Sequence, residues 1–419
     1  MENTVTYDPG QTKPLLRFQN RIGSLIQRLN PPWTNLDDES LIEAARRSVK
    51  WDDFASDHFR EPLRVLADGA RNCEHVSYTG KLLIRKGTVN AVSTRLRVQR
   101  ALADHPEIRE QPVKRPIIIV GAPRTGTTLL NNLLSLDPVS RPLLGWEALR
   151  PAPITRRQKR GTTPRGLLMR LRFNEWVGKR AMPELMQMHP FAYDRPDECH
   201  WLLWPSFVFL PAIVMPAFRN WLMAQPESVY EPAYADYRLA LQLLEWQRPA
   251  EGHWVLKSPV HLWALDAIMN AVPEASFVQT HRNLTKVLPS FCSLAATLLV
   301  PLVEKLEPRG MGPVAMEITA DVIARFTRAR EIVNPKRIMD ICYPDLVANP
   351  IAAVRTIYDR FGYEYTPEFE IRMTSYLRDS TQSKRPRHEY PFEGYGLDED
   401  AISEAFASYH QAYGVEQKI

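Results

Sequence analysis

The spacing of apolar positions divides the chain. Up to about residue 113 they recur every three or four residues among charges, as in Leu41 to Ser48 and Val92 to Asp104, which predicts amphipathic helices. At Pro116 the pattern becomes an unbroken β-branched run, Ile117-Ile118-Ile119-Val120, suited to a strand covered on both faces. The loop Gly121 to Thr128 then leads into an apolar helix, Leu129 to Leu136, closed by Asp137-Pro138. The same rhythm returns with the strand Trp254-Val255-Leu256, the loop Lys257-Ser258-Pro259 and a helix over Val260 to Val272. Ser276 to Thr280 is another strand, followed by His281-Arg282 and a helical stretch; Arg337 to Cys342 precedes a last helix, Pro350 to Phe361.

Strands alternating with helices predict an α/β fold with parallel strands and right-handed crossovers. Ligands of such sheets collect at the carboxyl ends of the strands, where the loops at 121–128, 257–259 and 281–283 all fall. The pattern divides the chain into an N-terminal helical region (1–113), an α/β domain (114–390) with a helical insertion at about 150–250, and a C-terminal helical tail (391–419).

Composition narrows the function. A hydrophobic fraction of 44% with 24% charged residues excludes wholesale disorder. The net charge is only +5, which favours small anionic ligands over a nucleic-acid track. Cys73, Cys199, Cys292 and Cys342 form no CxxC pair, and Met1 to Phe18 lacks a basic region followed by an apolar run, so a reducing, cytoplasmic setting is expected. Trp201 to Phe218 is apolar for 18 residues, but Pro205, Pro211 and Pro216 interrupt it. Each would cost roughly 3 kcal/mol inside a helix, so a buried or lid-like pair of short helices is expected rather than a membrane span. A wall for a greasy substrate, or a patch in peripheral contact with a membrane, is a third reading.

Gly121-Ala122-Pro123-Arg124-Thr125-Gly126-Thr127-Thr128 has the G-x-x-x-x-G spacing of a phosphate-binding loop, with Thr127 in place of the usual lysine. Backbone N–H groups at the start of the following helix can still form an anion nest, Thr127 and Thr128 can donate hydrogen bonds, and Arg124 adds a cationic fork. A metal-bound triphosphate is poorly served: the lysine is missing, and Asp340 is a weak candidate for a magnesium ligand.

The run IIIVGAPRTGTTLL resembles the 5′-phosphosulfate loop of sulfotransferases that use 3′-phosphoadenosine 5′-phosphosulfate (PAPS), nearest the bacterial branch and the tyrosylprotein sulfotransferases. Thr280-His281-Arg282-Asn283, with Ser290 eight residues after Arg282, resembles the family's 3′-phosphate motif. Trp254 to Pro259 resembles its Lys-x-Pro loop, and Ile341 to Leu346 a Tyr-Glu-Asp-Leu segment, here with Pro344 in place of the glutamate. The resemblance covers about residues 113–365. It implies a P-loop-like three-layer sandwich around a central parallel sheet, preceded by the helical region.

It also implies sulfuryl transfer from PAPS to a hydroxyl or amine of a small, apolar acceptor, leaving adenosine 3′,5′-bisphosphate and requiring no metal. Cofactor binding would fall to Arg124, Thr125, Gly126, Thr127, Thr128, Arg282, Ser290 and Tyr343. Arg124 and Lys257 would meet the charge developing on the bridging oxygen. Glu147, 23 residues after Arg124, resembles the family's carboxylate base, or else caps a helix and pairs with Arg150; the rival base is His189, or else that histidine is structural. Asp197-Glu198 with His200 is a weak metal pattern. Trp201 to Phe218 and Leu294 to Val303 could wall an acceptor, and Lys384, Arg385 and Arg387 match a late family loop in position only. A P-loop kinase or hydrolase, and a non-catalytic protein binding an apolar ligand or membrane surface, are the alternatives. No nucleic-acid partner is expected, and the sequence leaves the oligomeric state open.

Overall fold

A computed structural model of the chain describes residues 14–27, 31–152, 165–181, 193–209, 215–379 and 392–415. At its centre lie five parallel strands: β1 (Ile117–Gly121), β2 (Ser140–Pro142), β3 (His253–Lys257), β4 (Ser276–His281) and β5 (Ile338–Cys342), in the order β2-β3-β1-β4-β5. All five residues of β1 are buried, as its uninterrupted apolar run requires of a middle strand. The sequence pattern gave no sign of β2. It is a three-residue edge strand of Ser, Arg and Pro, and proline is tolerated at an edge because its missing N–H faces no partner.

The helices, in chain order, begin with α1 (Pro14–Gln27), α2 (Asp38–Val49), α3 (Arg60–Asn72) and α4 (Tyr78–Asp104), all before the sheet. Between β1 and β3 come α5 (Thr127–Leu134), α6 (Gly145–Leu149), α7 (Arg165–Ala181), α8 (His200–Leu203), α9 (Pro216–Met223) and α10 (Glu231–Gln247). Then follow α11 (Leu265–Ala271), α12 (Leu284–Leu299), α13 (Met311–Ile332), α14 (Tyr343–Ala348), α15 (Pro350–Phe361), α16 (Pro367–Asp379), α17 (Glu399–Ala405) and α18 (Ala407–Tyr413). The helix expected over Val260 to Val272 is a 3-10 turn, Pro259–Ala264, leading into α11. α15 has the bounds its sequence announces: Asn349 caps its start through Ala352 N–H, Pro350 follows, and Gly362 ends it at φ 69°.

Strand side chains alternate between faces, and this makes three layers. Ile118 and Val120 join Leu256 and Phe277 in a core shared with α2, α3, α4, α10 and α13. Ile117 and Ile119 join Val255 and Val278 in a second core on the other face, closed by Leu130, Leu134, Val354, Tyr358 and Phe369. The N-terminal helices thus pack into the same core as one face of the sheet. The apolar stretch Trp201 to Phe218 also belongs to this core: Leu202, Leu203, Phe207, Val208 and Phe218 are buried, and Pro216 sits harmlessly in the first turn of α9. No helix among the described residues is long and apolar enough to cross a membrane.

Arg95 ties α4 to the rest. Buried, it pairs with Asp236 of α10 and donates to Ser56 Oγ at 2.8 Å and to the carbonyl of Phe54 at 3.2 Å. Burial would raise the Asp236 carboxyl, but the hydrogen bond from His58 and the charge of Arg95 hold it below the usual range. Its contribution to stability is therefore present above about pH 4 and lost as pH falls through the lowered pKa. Arg95→Ala strands this carboxylate and is expected to cost roughly 3 kcal/mol, read by urea unfolding at neutral pH, with a smaller difference from the parent in acid.

Candidate active site

The loop after β1 is shaped by two residues with left-handed backbones. Gly126 (φ 93°) precedes the first turn of α5, and a Cβ there would lie 2.9 Å from Leu346 and 3.0 Å from the Tyr343 ring. Arg124 (φ 72°) adopts a conformation that costs a non-glycine residue about 1–2 kcal/mol. Hydrogen bonds hold it there: its Nε donates to Ser290 Oγ at 2.9 Å, and its carbonyl accepts from Arg282 Nη1 at 2.9 Å. The buried Thr125 hydroxyl lies 2.6 Å from both the Ala122 carbonyl and Thr280 Oγ1, clamping the loop to the end of β4. Thr127 is buried and Thr128 exposed at the start of α5.

Arg282 follows β4, and its guanidinium lies 4.0 Å above the centre of the Tyr343 ring, at the start of α14 after β5. Ser290 is a buried residue of α12, which runs through Pro289 without ending. The structure therefore brings Arg124, Arg282, Ser290 and Tyr343 together, although 158 residues separate the first two in the chain.

A second cluster forms at the end of β3. Lys257 is almost wholly buried, with its Nζ 2.5 Å from Glu198 Oε1, while Glu198 Oε2 lies 3.1 Å from His200 Nδ1. The His200 ring stands 4.4 Å from Trp201, which stacks on Trp204 at 4.7 Å. This segment is docked on the sheet end by Cys199 N–H, which donates to the Lys257 carbonyl at 2.9 Å, and by Asp197 N–H, which donates to Leu143 at 2.9 Å. Next to Lys257, the fully buried Ser258 hydroxyl has no hydrogen-bond partner among the described residues; an oxygen of a bound anion would satisfy it. The Glu198–Lys257 pair escaped the sequence reading, in which Glu198 counted only toward a weak metal pattern. The one signal available was its position two residues before His200, too common a spacing to decide anything.

Other candidates are committed elsewhere. Glu147 is buried at the start of α6, where it accepts from Arg141 at 3.1 Å, Arg248 at 3.2 Å and the Leu144 N–H at 3.1 Å. Its expected partner Arg150 bonds Asn90 instead, at 3.3 Å. Asp340, considered as a magnesium ligand, takes hydrogen bonds from His281 at 2.9 Å and Arg330 at 2.8 Å. Burial opposes its ionisation, yet these two partners prevail and bring its carboxyl down to about 2. Burial pushes the Cys199 thiol up to about 12, so it carries no thiolate at neutral pH. Among the described residues no group of three His, Cys, Asp or Glu could hold a metal ion. His189, Lys384, Arg385 and Arg387 lie outside the described residues.

Comparison with known proteins agrees with this geometry. The family model described as "Sulfotransferase family" matches residues 116–367. Sulfotransferase STF1 from Mycobacterium tuberculosis superposes with a TM-score of 0.76 at 31% identity, covering 88% of this chain and 98% of that one. Sulfotransferase STF9 from Mycobacterium avium gives a TM-score of 0.80 at 26% identity, over 91% and 97% of the two chains. The omega-hydroxy-beta-dihydromenaquinone-9 sulfotransferase Stf3 of Mycobacterium bovis is 25% identical over 283 residues, which is 64% of this chain and 68% of that protein.

Gly126→Ala forces a Cβ against Tyr343 and Leu346 while keeping a left-handed backbone. It is expected to lower stability by about 1–2 kcal/mol in chemical unfolding. Gly362→Ala, which meets open space at φ 69°, carries only the backbone cost and serves as the comparison.

Proposed function

The chain belongs to the sulfotransferase family and is a sulfuryl-transferring enzyme, and we propose that its donor is PAPS and its acceptor a small apolar molecule bearing a hydroxyl. The observation that carries the donor assignment is the junction of Arg124, Arg282, Ser290 and Tyr343 at the carboxyl edge of the sheet. When bound, PAPS supplies an activated sulfuryl group on a bisphosphate leaving group. In this reading the loop amides and the Thr127 and Thr128 hydroxyls hold its 5′ side, with Thr125 and Gly126 setting the loop's shape. Arg282 and Ser290 hold the 3′-phosphate, and Tyr343 supports Arg282 from beneath. The orphaned Ser258 hydroxyl fits the same ligand.

Arg124 and Lys257 then face the oxygen on which charge develops. For the proton of the acceptor, the surroundings favour Glu198 over Glu147. Two guanidinium groups and an amide already occupy the Glu147 carboxylate, stabilising its charge and filling its lone pairs, so its work is to fasten α6 to the end of α10. Glu198 has one cation, lies partly open and is backed by His200, which can relay the proton outward. His189 is the remaining candidate.

The stacked Trp201 and Trp204 beside His200 support an apolar acceptor. The relative Stf3 is named for a menaquinone derivative with an omega-hydroxyl, which is the same chemistry on a large scale. The four free cysteines suit a reducing, cytoplasmic setting. A kinase reading has less support, since Thr127 stands where the lysine would be and Asp340 is held by His281 and Arg330.

Calorimetry with adenosine 3′,5′-bisphosphate, without added divalent metal, is expected to show binding that weakens at least about tenfold in Arg282→Ala. No binding, or binding indifferent to that change, would sink the donor assignment. In assays with radiolabelled PAPS and a panel of hydroxylated lipids and phenols, Glu198→Gln is expected to lower kcat by roughly 10²–10⁴ while bisphosphate affinity persists. Glu147→Gln should instead show itself as a loss of stability. If His189→Ala abolishes turnover and Glu198→Gln does not, the base is His189.

A further inference from the structure

Helix α7 (Arg165–Ala181) presents an apolar stripe outward. Leu171 is buried at 8% exposure and seats the helix, whereas Met169, Phe173 and Trp176 are 73%, 61% and 51% exposed. Steps of four and three residues place these three on one side, and at about 100° per residue Leu171 lies nearly opposite them. The Phe173 and Trp176 rings stack on each other at 5.9 Å. Exposed Arg170 and Arg172 border the stripe on either side. Three large apolar side chains gathered on one solvent-facing helix are unusual for a surface that meets only water.

Charge identifies what covers them. The α7 sequence contains Arg165, Arg170, Arg172, Lys179 and Arg180 against the single acid Glu175. The twelve residues before it add Arg156, Arg157, Lys159 and Arg160 with no acid, whereas the whole chain amounts to only +5. Aromatic residues bordered by arginines, with the opposite side packed on protein, match a helix lying in the interface of an anionic membrane. Long arginine stems reach phosphate level while the rings enter the acyl boundary. Single-stranded nucleic acid fits less well, because Phe173 and Trp176 spend a ring face on each other instead of offering it to bases.

We propose that the Met169–Phe173–Trp176 face of α7 is a docking surface for an anionic lipid bilayer. This surface adjoins the candidate site: Arg172 bonds Asp194 at 3.2 Å, four residues before Glu198. The proposal does not depend on the acceptor's identity, since vesicle binding is measured without turnover.

The test is co-sedimentation of the full chain with phosphatidylcholine vesicles, with and without phosphatidylglycerol. Binding is expected to require phosphatidylglycerol and to fall with added salt. Arg170→Glu should weaken it about fivefold, and Phe173→Ser with Trp176→Ser at least about tenfold. Unchanged far-ultraviolet circular dichroism and bisphosphate binding would certify that each variant is folded. Equal binding to both vesicle types would overturn the proposal. So would insensitivity to the α7 changes, loss caused instead by Phe18→Ser with Leu25→Ser on the exposed face of α1, or a preference for an RNA oligonucleotide over the vesicles.

Discussion

The hydrogen bonds between the β1–α5 loop and the elements after β4 are the constraint on which the site depends. A loop that puts an arginine in a left-handed conformation does not hold itself. Here Ser290 takes the guanidinium, Arg282 takes the carbonyl, and Thr280 takes the Thr125 hydroxyl. All three partners come from the strand beside β1 or the helix that follows it, so the parallel pairing of β1 with β4 fixes their separation. The strain in the loop is thereby offset by tertiary contacts that assemble two cationic side chains at one edge of the sheet.

The Lys257–Glu198 pair does for the other half of the site what Arg124 does for the first. A lysine at the end of a fully buried strand needs a counter-charge, and the chain supplies it from a segment that crosses the sheet end between α7 and α8. Glu147 contrasts with it. Both carboxylates are near the carboxyl edge, but one is saturated by two arginines and a backbone amide while the other shares one lysine and one histidine. Their different surroundings, not their residue type, separate a fastening role from a chemical one.

Hydropathy and exposure also part company. Trp201 to Phe218 is the most apolar stretch of the chain, yet its described residues are largely core. α7 is far more charged and shows three large apolar side chains to solvent. What a surface offers to a partner is set by which side chains the packing leaves outside, and a window average cannot see this.

The sequence by itself determined the sheet's four longer strands, the bounds of α15, the phosphate-binding loop and the arginine and serine of the second motif. These are local: an unbroken β-branched run, an Asn-Pro start, a glycine required where a Cβ would strike Tyr343, and spacings shorter than one helix all act through neighbours in the chain. Tertiary structure alone decided that Glu147 meets Arg141 and Arg248, that Glu198 meets Lys257, that β2 completes the edge, and that α7 wears its apolar stripe outward. A charge pair formed across 59 or 101 residues leaves no periodicity to read. An amphipathic stripe, likewise, reads identically whether it faces the core or the solvent. Only the packed fold brings partners within a few ångströms, where Coulomb attraction and desolvation decide between them.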